Sequence, residues 1–558
     1  MRFFFLAFEI LKQSNVQLYV HSNFTIMKQF LKYLLFVMLA VSVVGCQKDN
    51  IVAIDPIETD DGEDLIANTV FTQTVGVAFS TDGNAIVTGT NDDFTVSVNG
   101  NGVTLVYFGE EYVMYELSGT TNNGFFKLYS AKKQGITLNG ANITNPNGAA
   151  INVQGTQTEP NKGKRTFIVL NAENSLADGS SYTDTPDGED EKAAMFGEGQ
   201  FIFSGDGRLT VTATGKSGIV SDDYIHLIGG TITVNMSSSA TVSGSDTLKP
   251  VCVRGKDYFK MTNGTLSLTS TGTGGKGISS DGNGYFYGGT VNVTVTGGNF
   301  GSNGGSGFPG GGGPGGGGNT NSNGVSAKGI KCDGNLIFKG SKVVVNCTAH
   351  EGIEAKGTLS VSGGEVYSHS QSDDAINSGG NLTISGGLVC AYSQGNDGLD
   401  ANGNCYIKGG VVYAIGTTSP EVAIDANSEG GYQLYLTGGT LVAIGGLESG
   451  SSLSQSCYSA SSWSQSTWYG LTVGSTTYAF NTPSSGGTPL VVSGGSTPTL
   501  QSGVSVSSGT ECFEGMFYVN ASVSGGNSVS LSSYTGGNGG GGGPGGGGGP
   551  GGGGHGPF

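Results

Sequence analysis

A 23-residue repeat constrains the fold of this chain more than any other feature. Apolar anchor residues recur every 23 positions at Ile330, Ile353, Ile376 and Leu399. Between the anchors, short stretches of alternating apolar residues are separated by Gly-bearing turns. The stretches are too short for helices, and they carry β-branched residues with a period of two. The pattern predicts an all-β fold with three short strands per repeat, stacked as a right-handed parallel β-helix.

The same register extends beyond the regular repeats. Ile278 precedes Ile330 by 52 residues, which is one repeat plus a Gly-rich insertion of 29 residues. Ile219 and Val253 continue the register upstream, and Ile424 continues it downstream. The register predicts two inward columns of core side chains, which are Leu336, Leu359, Leu382 and Cys405, and Phe338, Val361, Ile384 and Ile407.

Composition divides the chain into segments around this repeat region. We expect a targeting segment and upstream extension at 1–45, an acidic tether at 46–70, the β-helix at 71–445 with its Gly-rich insertion at 297–324, a β-rich C-terminal cap at 446–535, and a disordered Gly/Pro-rich tail at 536–558. A cap is expected because the open end of such a stack exposes an unpaired strand edge.

The segment "MKQFLKYLLFVMLAVSVVGCQKDN" has a basic start, a short apolar run and a small residue before Cys46. This order resembles a bacterial lipoprotein signal, in which Cys46 is lipidated and becomes the first residue of the mature chain. A transmembrane helix is the alternative, although the apolar run is shorter than the ~20 residues that a span needs. Met27 is the start that the signal predicts, with Met1 the alternative. We expect a lipid-anchored protein of the bacterial outer membrane, exposed at the cell surface and monomeric.

The formal net charge of −18 argues against nucleic acid as a partner, because a nucleic-acid-binding surface must neutralise phosphates. An acidic protein that binds an anionic partner needs a cation between the two. Acidic residues do recur at fixed positions around the anchors, and the members of these columns are Glu351, Asp374 and Asp397, and Glu354, Asp400 and Asp425. Carboxylates stacked at the ~4.8 Å spacing of adjacent strands repel each other, and such oxygen clusters suit Ca²⁺. The alternative is a solvated charged edge.

A second acidic stretch, "YTDTPDGEDE", contains Asp184 and Asp187 and is another candidate for calcium. Outward positions of the third strand carry a column of rings, Tyr367, His369, Tyr392 and Tyr413. Flat rings on a rigid sheet suit stacking against sugars. Packing under the insertion or under the C-terminal region is the alternative for these rings.

The segments "GITLNGANITNPNGAAINV", "SLADGSSYTDTPDGEDEKAAMFG" and "GIVSDDYIHLIGGTITV", followed by the repeats, resemble a bacterial family of carbohydrate-binding domains. The resemblance covers roughly residues 71–445. It implies a β-helix similar to that of pectate lyases, bound calcium, and association with cellulose or with acidic polysaccharides such as polygalacturonate. The acids expected from this resemblance are Asp184, Asp187, Asp222, Asp223, Asp373, Asp374, Asp397 and Asp400.

Three functions are consistent with these residues, namely a non-catalytic polysaccharide binder, a calcium-dependent polysaccharide lyase and a surface adhesin. A lyase needs a basic residue near calcium-held carboxylates, to remove the proton beside the carboxyl group. Lys331 and Lys356 are outward and near acids, but we expect no basic cluster around them. Binding is therefore the favoured prediction.

Overall fold

The computed structural model describes residues 62–156, 163–183, 185–186, 189–243, 246–301 and 324–536. Five sequence predictions lie outside these residues: the targeting segment, lipidation at Cys46, the calcium candidates Asp184 and Asp187, most of the Gly-rich insertion, and the Gly/Pro-rich tail.

Regular structure in the described residues is almost entirely β. Short 3₁₀ turns lie at Gly62–Asp64, Ile66–Asn68, Ser428–Gly430 and Phe513–Gly515. No helix in the described ranges is long and apolar enough to cross a membrane. The strands of the first half are β1 (Gln73–Phe79), β2 (Ile86–Thr88), β3 (Phe94–Asn99), β4 (Asn101–Tyr107), β5 (Val113–Thr121), β6 (Gly124–Ser130), β7 (Gln134–Thr144), β8 (Ile151–Gln154), β9 (Thr166–Asn171), β10 (Glu173–Ala177), β11 (Ala193–Gly197), β12 (Phe201–Gly205), β13 (Arg208–Ala213), β14 (Ser217–Ser221), β15 (Tyr224–Leu227), β16 (Thr231–Met236), β17 (Thr241–Ser243), β18 (Asp246–Leu248), β19 (Val251–Gly255), β20 (Tyr258–Met261), β21 (Thr265–Ser270), β22 (Lys276–Ser280), β23 (Asn283–Phe286) and β24 (Thr290–Val295).

The second half continues the series through the regular repeats into the C-terminal region. Its strands are β25 (Lys328–Cys332), β26 (Leu336–Phe338), β27 (Lys342–Cys347), β28 (Ile353–Ala355), β29 (Leu359–Val361), β30 (Glu365–Ser370), β31 (Ile376–Ser378), β32 (Leu382–Ile384), β33 (Leu388–Ser393), β34 (Leu399–Ala401), β35 (Cys405–Ile407), β36 (Val411–Ile415), β37 (Leu434–Leu436), β38 (Thr440–Ile444), β39 (Ser452–Leu453), β40 (Cys457–Ala460), β41 (Trp468–Val473), β42 (Thr476–Asn481), β43 (Leu490–Ser493), β44 (Thr499–Cys512), β45 (Phe517–Val529) and β46 (Ser532–Tyr534).

Most strands belong to three parallel ladders, in which each strand pairs with its equivalent in the next repeat. The first ladder runs β4-β6-β8-β11-β14-β19-β22-β25-β28-β31-β34. The second runs β9-β12-β15-β20-β23-β26-β29-β32-β35-β37-β39, and the third runs β7-β10-β13-β16-β21-β24-β27-β30-β33-β36-β38. Each regular repeat thus contributes one strand to each ladder, as the sequence predicts.

The predicted register is confirmed strand by strand. In the first ladder Ile330 pairs with Ile353, Ile353 with Ile376, and Ile376 with Leu399. Ile278 pairs directly with Ile330, so the ladder is continuous from β22 to β25 despite the insertion between them in sequence.

The inward columns form the core, since Leu382 and Ile384 are fully buried and pair with Cys405 and Ile407. Buried apolar surface stabilises the fold by about 25 cal/mol per Å². Asn residues join the turns of successive repeats: the Oδ1 atom of Asn381 accepts a hydrogen bond from the backbone N–H of Asn404 at 2.9 Å.

The C-terminal region contributes a closed antiparallel barrel, β41-β42-β45-β44, and the strand β43. Strand β43 pairs antiparallel with β38, which is the last parallel strand of the third ladder. The parallel edge of that ladder is thereby covered, which removes a site for pairing with another chain.

Candidate functional site

The outer face of the first ladder carries two columns of charged side chains, one on each side of the buried anchors. The column two residues before the anchors contains Lys276, Lys328, Glu351, Asp374 and Asp397. The column one residue after the anchors contains Arg254, Ser279, Lys331, Glu354, Asn377 and Asp400. In both columns basic residues come first along the chain and acidic residues follow.

Glu351 and Glu354 lie where the charge changes sign, and both are neutralised by basic neighbours. The Nζ atom of Lys328 lies 3.0 Å from Oε2 of Glu351 and 2.5 Å from Oε2 of Glu354. Lys356 forms a second ion pair with Glu354. Burial alone would raise the pKa of Glu351, but His350 and Lys328 outweigh it and lower that pKa. These two predicted calcium ligands therefore already have positive partners.

His350 was not singled out by the sequence, because it lies in a turn outside the repeating columns. Its Nδ1 atom lies 2.7 Å from Oδ2 of Asp373 and is also in ion-pair contact with Glu351. One ligand atom from each of the three residues lies within 4.8 Å of the others. Burial lowers the pKa of His350, but the two carboxylates outweigh it and raise the pKa to about 9. The two carboxylates offset the charge of the imidazole, but Nδ1 of His350 and Oε2 of Glu351 are buried without a hydrogen-bond partner among the described residues.

Asp374, Asp397 and Asp400 differ from the glutamates, because these three form no ion pair among the described residues. Asp374 and Asp397 are 4% and 7% exposed. The backbone N–H of Asp397 donates to Asp374 at 3.2 Å, and that of Val422 donates to Asp397 at 2.6 Å. The side-chain amide of Asn377 donates to both Asp374 and Asp400. Asp374 and Asp397 are thus buried, Asp400 is partly exposed, and all three are hydrogen-bonded.

The burial of these acids without a positive partner raises their pKa values. Burial, followed by the charges of Asp400, Asp373 and Asp397, raises the pKa of Asp374 well above its ordinary value. Burial raises the pKa of Asp397 to about 8 and that of Asp400 to about 6. It also raises the pKa of Asp425 to about 10, with Glu448 contributing. Near neutral pH this group must retain protons or bind a cation.

The acids Asp374, Asp397 and Asp400 offer a candidate metal different ligand atoms from those of the cluster around His350. Asp374, Asp397 and Asp400 offer only carboxylate oxygens, which are the ligands that Ca²⁺ prefers, together with the amide of Asn377 nearby. The cluster around His350 includes an imidazole nitrogen, a donor more typical of transition metals. Among the described residues, Asp374, Asp397 and Asp400 do not bring one oxygen each within 4.8 Å of the others, whereas the cluster around His350 does.

A further acidic group lies upstream and contains Asp222, one of the sequence-predicted ligands. Asp190, Glu198 and Asp222 bring one oxygen each within 4.8 Å of the others. Oε1 of Glu198 and Oδ1 of Asp222 are buried without a hydrogen-bond partner among the described residues. Burial and the charge of Asp222 raise the pKa of Glu198 to about 7. Asp223 faces elsewhere and accepts a hydrogen bond from Gln200.

The column of rings is outward on the third ladder but is covered by the C-terminal barrel. Tyr367 and Tyr392 are 6% and 7% exposed, and Tyr413 is fully buried. The hydroxyl of Tyr413 donates to the carbonyl of Asn481 at 2.8 Å, and His369 stacks on Tyr392 at 4.5 Å between ring centroids. The predicted sugar-stacking role of Tyr367, Tyr392 and Tyr413 is therefore corrected, because these rings pack with barrel residues in one apolar cluster, whereas His369 is half-buried against Tyr392.

The expectation that no basic cluster accompanies Lys331 is also wrong. Arg254, Lys276 and Lys331 converge with Lys249 on a groove of about 500 Å³ at the basic end of the first ladder. Their sequence separations are irregular, because long connections interrupt the repeat between β16 and β19 and between β24 and β25. Arg254, Lys276 and Lys331 occupy the two charged columns, so the register that located the acids could also have located these three basic residues.

Fold and site together define an all-β repeat protein with parallel-strand sheets and a charged outer face. A family profile described as "Carbohydrate-binding domain-containing protein" matches residues 92–375, more than half of the chain. The chain therefore belongs to this family of carbohydrate-binding domain proteins. The match includes the basic groove and extends as far as Asp374.

One protein sequence and one solved structure are similar to parts of this chain. A carbohydrate-binding domain-containing protein of Acetivibrio thermocellus is 28% identical over 124 residues. The alignment covers 22% of this chain and 42% of the relative's length, so the chain spans less than half of that protein. A solved structure described as a polysaccharide lyase-like protein from C. thermocellum, in a gadolinium derivative, matches with a TM-score of 0.34 and 17% identity. That match covers 60% of this chain and 96% of the other.

Proposed function

We propose that this chain is a non-catalytic, cell-surface lipoprotein that binds polysaccharide on a calcium-stabilised, right-handed parallel β-helix. The polysaccharide is acidic and pectin-like, or neutral and cellulose-like. The observation that carries the proposal is the charged outer face of the first ladder, in a chain whose family is defined by carbohydrate binding.

The pairing of the three ladders supports the proposed β-helix. Three strands of each 23-residue repeat pair in parallel with their equivalents in the next repeat, which is the pairing expected of a backbone that completes one turn per repeat. The right hand is the one that parallel crossover connections adopt in nearly all proteins.

Calcium is proposed at Asp374, Asp397 and Asp400, with Asp425 contributing from the next repeat. A bound divalent cation would favour the ionised form of these acids, whose burial otherwise raises their pKa values. Asp400 is only partly buried, so the carboxylate of a polysaccharide would reach the ion on that side, and Ca²⁺ accepts six to eight oxygen ligands. Asp222, with Glu198, is the second place to look for the ion.

Binding is favoured over cleavage because of the state of the outward lysines. Lys331 is ion-paired with Asp333, and Lys356 with Glu354. Each of these lysines is already engaged by a carboxylate, whereas a lyase needs a basic residue that is free to reach the proton beside the carboxyl group of the substrate. Incubation with polygalacturonate should therefore yield no unsaturated uronate absorbance. Appearance of that absorbance would establish the lyase alternative.

The carbohydrate ligand is tested by a glycan-array screen of the purified protein with and without chelator. Binding to one or more polysaccharides is expected, and calcium should strengthen binding to uronates. Binding to a protein but to no glycan would instead establish the adhesin alternative. Membrane attachment is tested separately, because Cys46→Ala should release the chain from the membrane fraction.

A further inference from the structure

The basic groove lies on the first ladder, upstream of the acids proposed to hold calcium. Its floor is formed by strands β14, β19, β22 and β25, and the hairpin β17–β18 contributes Thr247 and Leu248 to one wall. Its volume of about 500 Å³ is in the range of small-molecule and sugar-binding clefts.

The groove is basic although the protein as a whole is strongly acidic. Six basic residues line it, which are Lys192, Lys216, Lys249, Arg254, Lys276 and Lys331. Four acids line it as well, which are Asp190, Glu191, Asp281 and Asp333. Each acid is already ion-paired: Asp190 with Lys192, Glu191 with Lys127, Asp281 with Arg254, and Asp333 with Lys331. The groove therefore has a net positive charge, and this charge is carried by lysines that form no ion pair with an acid among the described residues.

Lys276 is the most unusual of these side chains. It pairs in register with Lys328 on the next strand and forms no ion pair or side-chain hydrogen bond among the described residues. Burial, together with the charges of Lys331, Lys328 and Lys249, lowers the pKa of Lys276 to about 8. A largely buried ammonium surrounded by like charges is unfavourable unless an anion joins it. Lys249 at the groove's rim is exposed and also has no ion-pair partner in the described structure.

We propose that this basic groove is a direct anion-binding subsite, in which Lys276 and Lys249 contact the carboxylate or sulfate groups of an anionic polysaccharide without a bridging cation. The inference rests on the proposed function and makes it more specific, because it selects an anionic polysaccharide over a neutral, cellulose-like one.

A polysaccharide is the occupant that the surrounding surface favours. The groove lies in the same columns of the same ladder as the buried acids, so one extended chain lying along the ladder would reach both. All of the groove residues fall within the segment that matches the carbohydrate-binding family.

The test is a pair of double variants of the full chain. The groove variant is Lys249→Gln with Lys276→Gln. The control is Lys339→Gln with Lys408→Gln, two exposed lysines that follow strands of the second ladder and change the net charge equally. Affinity is measured for polygalacturonate, sulfated dextran, a neutral β-glucan and single-stranded DNA, each in EDTA at low and high salt, because salt screens charge contacts.

In EDTA the wild-type and control proteins should bind at least one of the two anionic polysaccharides, and the groove variant should bind it at least tenfold more weakly. Whichever polymer shows this loss distinguishes a carboxylate from a sulfate as the bound group. The melting temperature of the groove variant should be equal to or higher than that of the wild type, because the removed charge has no partner in the free protein. If Lys276→Gln does not fold, Lys249→Gln alone must still weaken binding by at least threefold.

Equal affinities of the groove and control variants would overturn the subsite while leaving polysaccharide binding intact. Tighter binding of DNA than of either polysaccharide would overturn the choice of occupant. Failure of the wild type to bind any of the polysaccharides, with or without calcium, would overturn the proposed function itself and the subsite with it.

Discussion

Lys328 and Glu354 form an ion pair of 2.5 Å between adjacent strands of the first ladder, and this pair marks where the outer face changes from basic to acidic. Both side chains are buried, with 10% and 1% of their surfaces exposed. The pair thus separates the basic groove from the acids proposed to bind calcium, and it allows both charged regions to share one face.

Removal of Lys328 should therefore be costly. Lys328→Met leaves two buried carboxylates, Glu351 and Glu354, without this partner, and breaking a buried pair typically costs 3–5 kcal/mol, so we expect a loss of about 3 kcal/mol. Chemical denaturation of the variant measures it. Lys356→Met is the matched control, because Lys356 pairs with the same glutamate but is more than half exposed. Equal losses in the two variants would contradict the role assigned to Lys328.

The register predicts opposite effects at neighbouring positions of β32. Leu382 is fully buried, whereas Thr383 points outward and is partly exposed. Leu382→Asp places an unpaired carboxylate in the core, so we expect it to prevent folding or to reduce the unfolding free energy by several kcal/mol. Thr383→Asp should change that free energy by less than about 1 kcal/mol. Similar melting temperatures for the two variants would contradict the register.

The unfolding free energy should fall with rising pH without calcium, and calcium should make this fall smaller. In the chelated protein the pKa of Asp397 is raised from 3.8 to about 8, so the folded state retains a proton that the unfolded state has lost. Asp400, Glu198 and His350 shift in the same direction. The unfolding free energy should therefore fall as pH rises from 5 to 8, by about 1.4 kcal/mol per pH unit for each proton retained.

Calcium should reverse much of this fall, because an ion that binds only the folded state stabilises it by mass action and replaces the retained protons. Melting curves at pH 5 and pH 8, with EDTA and with millimolar calcium, measure the effect. The calcium-induced rise in melting temperature should be larger at pH 8. A calcium-induced rise that is absent at both pH values would argue that the acids are held by protons alone.

Tyr413 should act in folding and not in sugar binding. Tyr413→Ala removes a buried ring that packs on Phe480 and Phe517 of the barrel, so we expect a loss of about 3 kcal/mol. Affinity of the folded variant for polysaccharide should be unchanged. Normal stability together with lost binding to a neutral glucan would restore the sugar-stacking role.

The periodic part of the fold could be predicted from the sequence, because spacing determines which residues pair. Ile330, Ile353 and Ile376 pair as predicted, since a repeat of constant length returns the chain to the same place. Tyr413 was correctly placed on the outer face, yet its environment depends on the docking of the C-terminal barrel, which no local pattern encodes. The burial that raises the pKa of Asp397, and the contact of His350 with Asp373, are likewise tertiary consequences.

The basic groove was missed in the sequence for a different reason. Lys276 occupies the same column as Glu351 and could have been found from the register alone. The insertion that follows β24 separates Lys276 from Lys328 by more than two repeats in sequence, although the two residues pair directly in space.

The measurement that tests the central claim most directly is the affinity of the full chain for polygalacturonate as calcium is titrated, in the wild type and in Asp374→Asn with Asp397→Asn. Asn retains the oxygen that accepts the backbone N–H at each position but removes the charge that would hold the ion. The account predicts that calcium strengthens wild-type binding at least tenfold and leaves the double variant with only the calcium-independent binding of the basic groove. A double variant whose affinity responds to calcium as the wild type does would contradict the account.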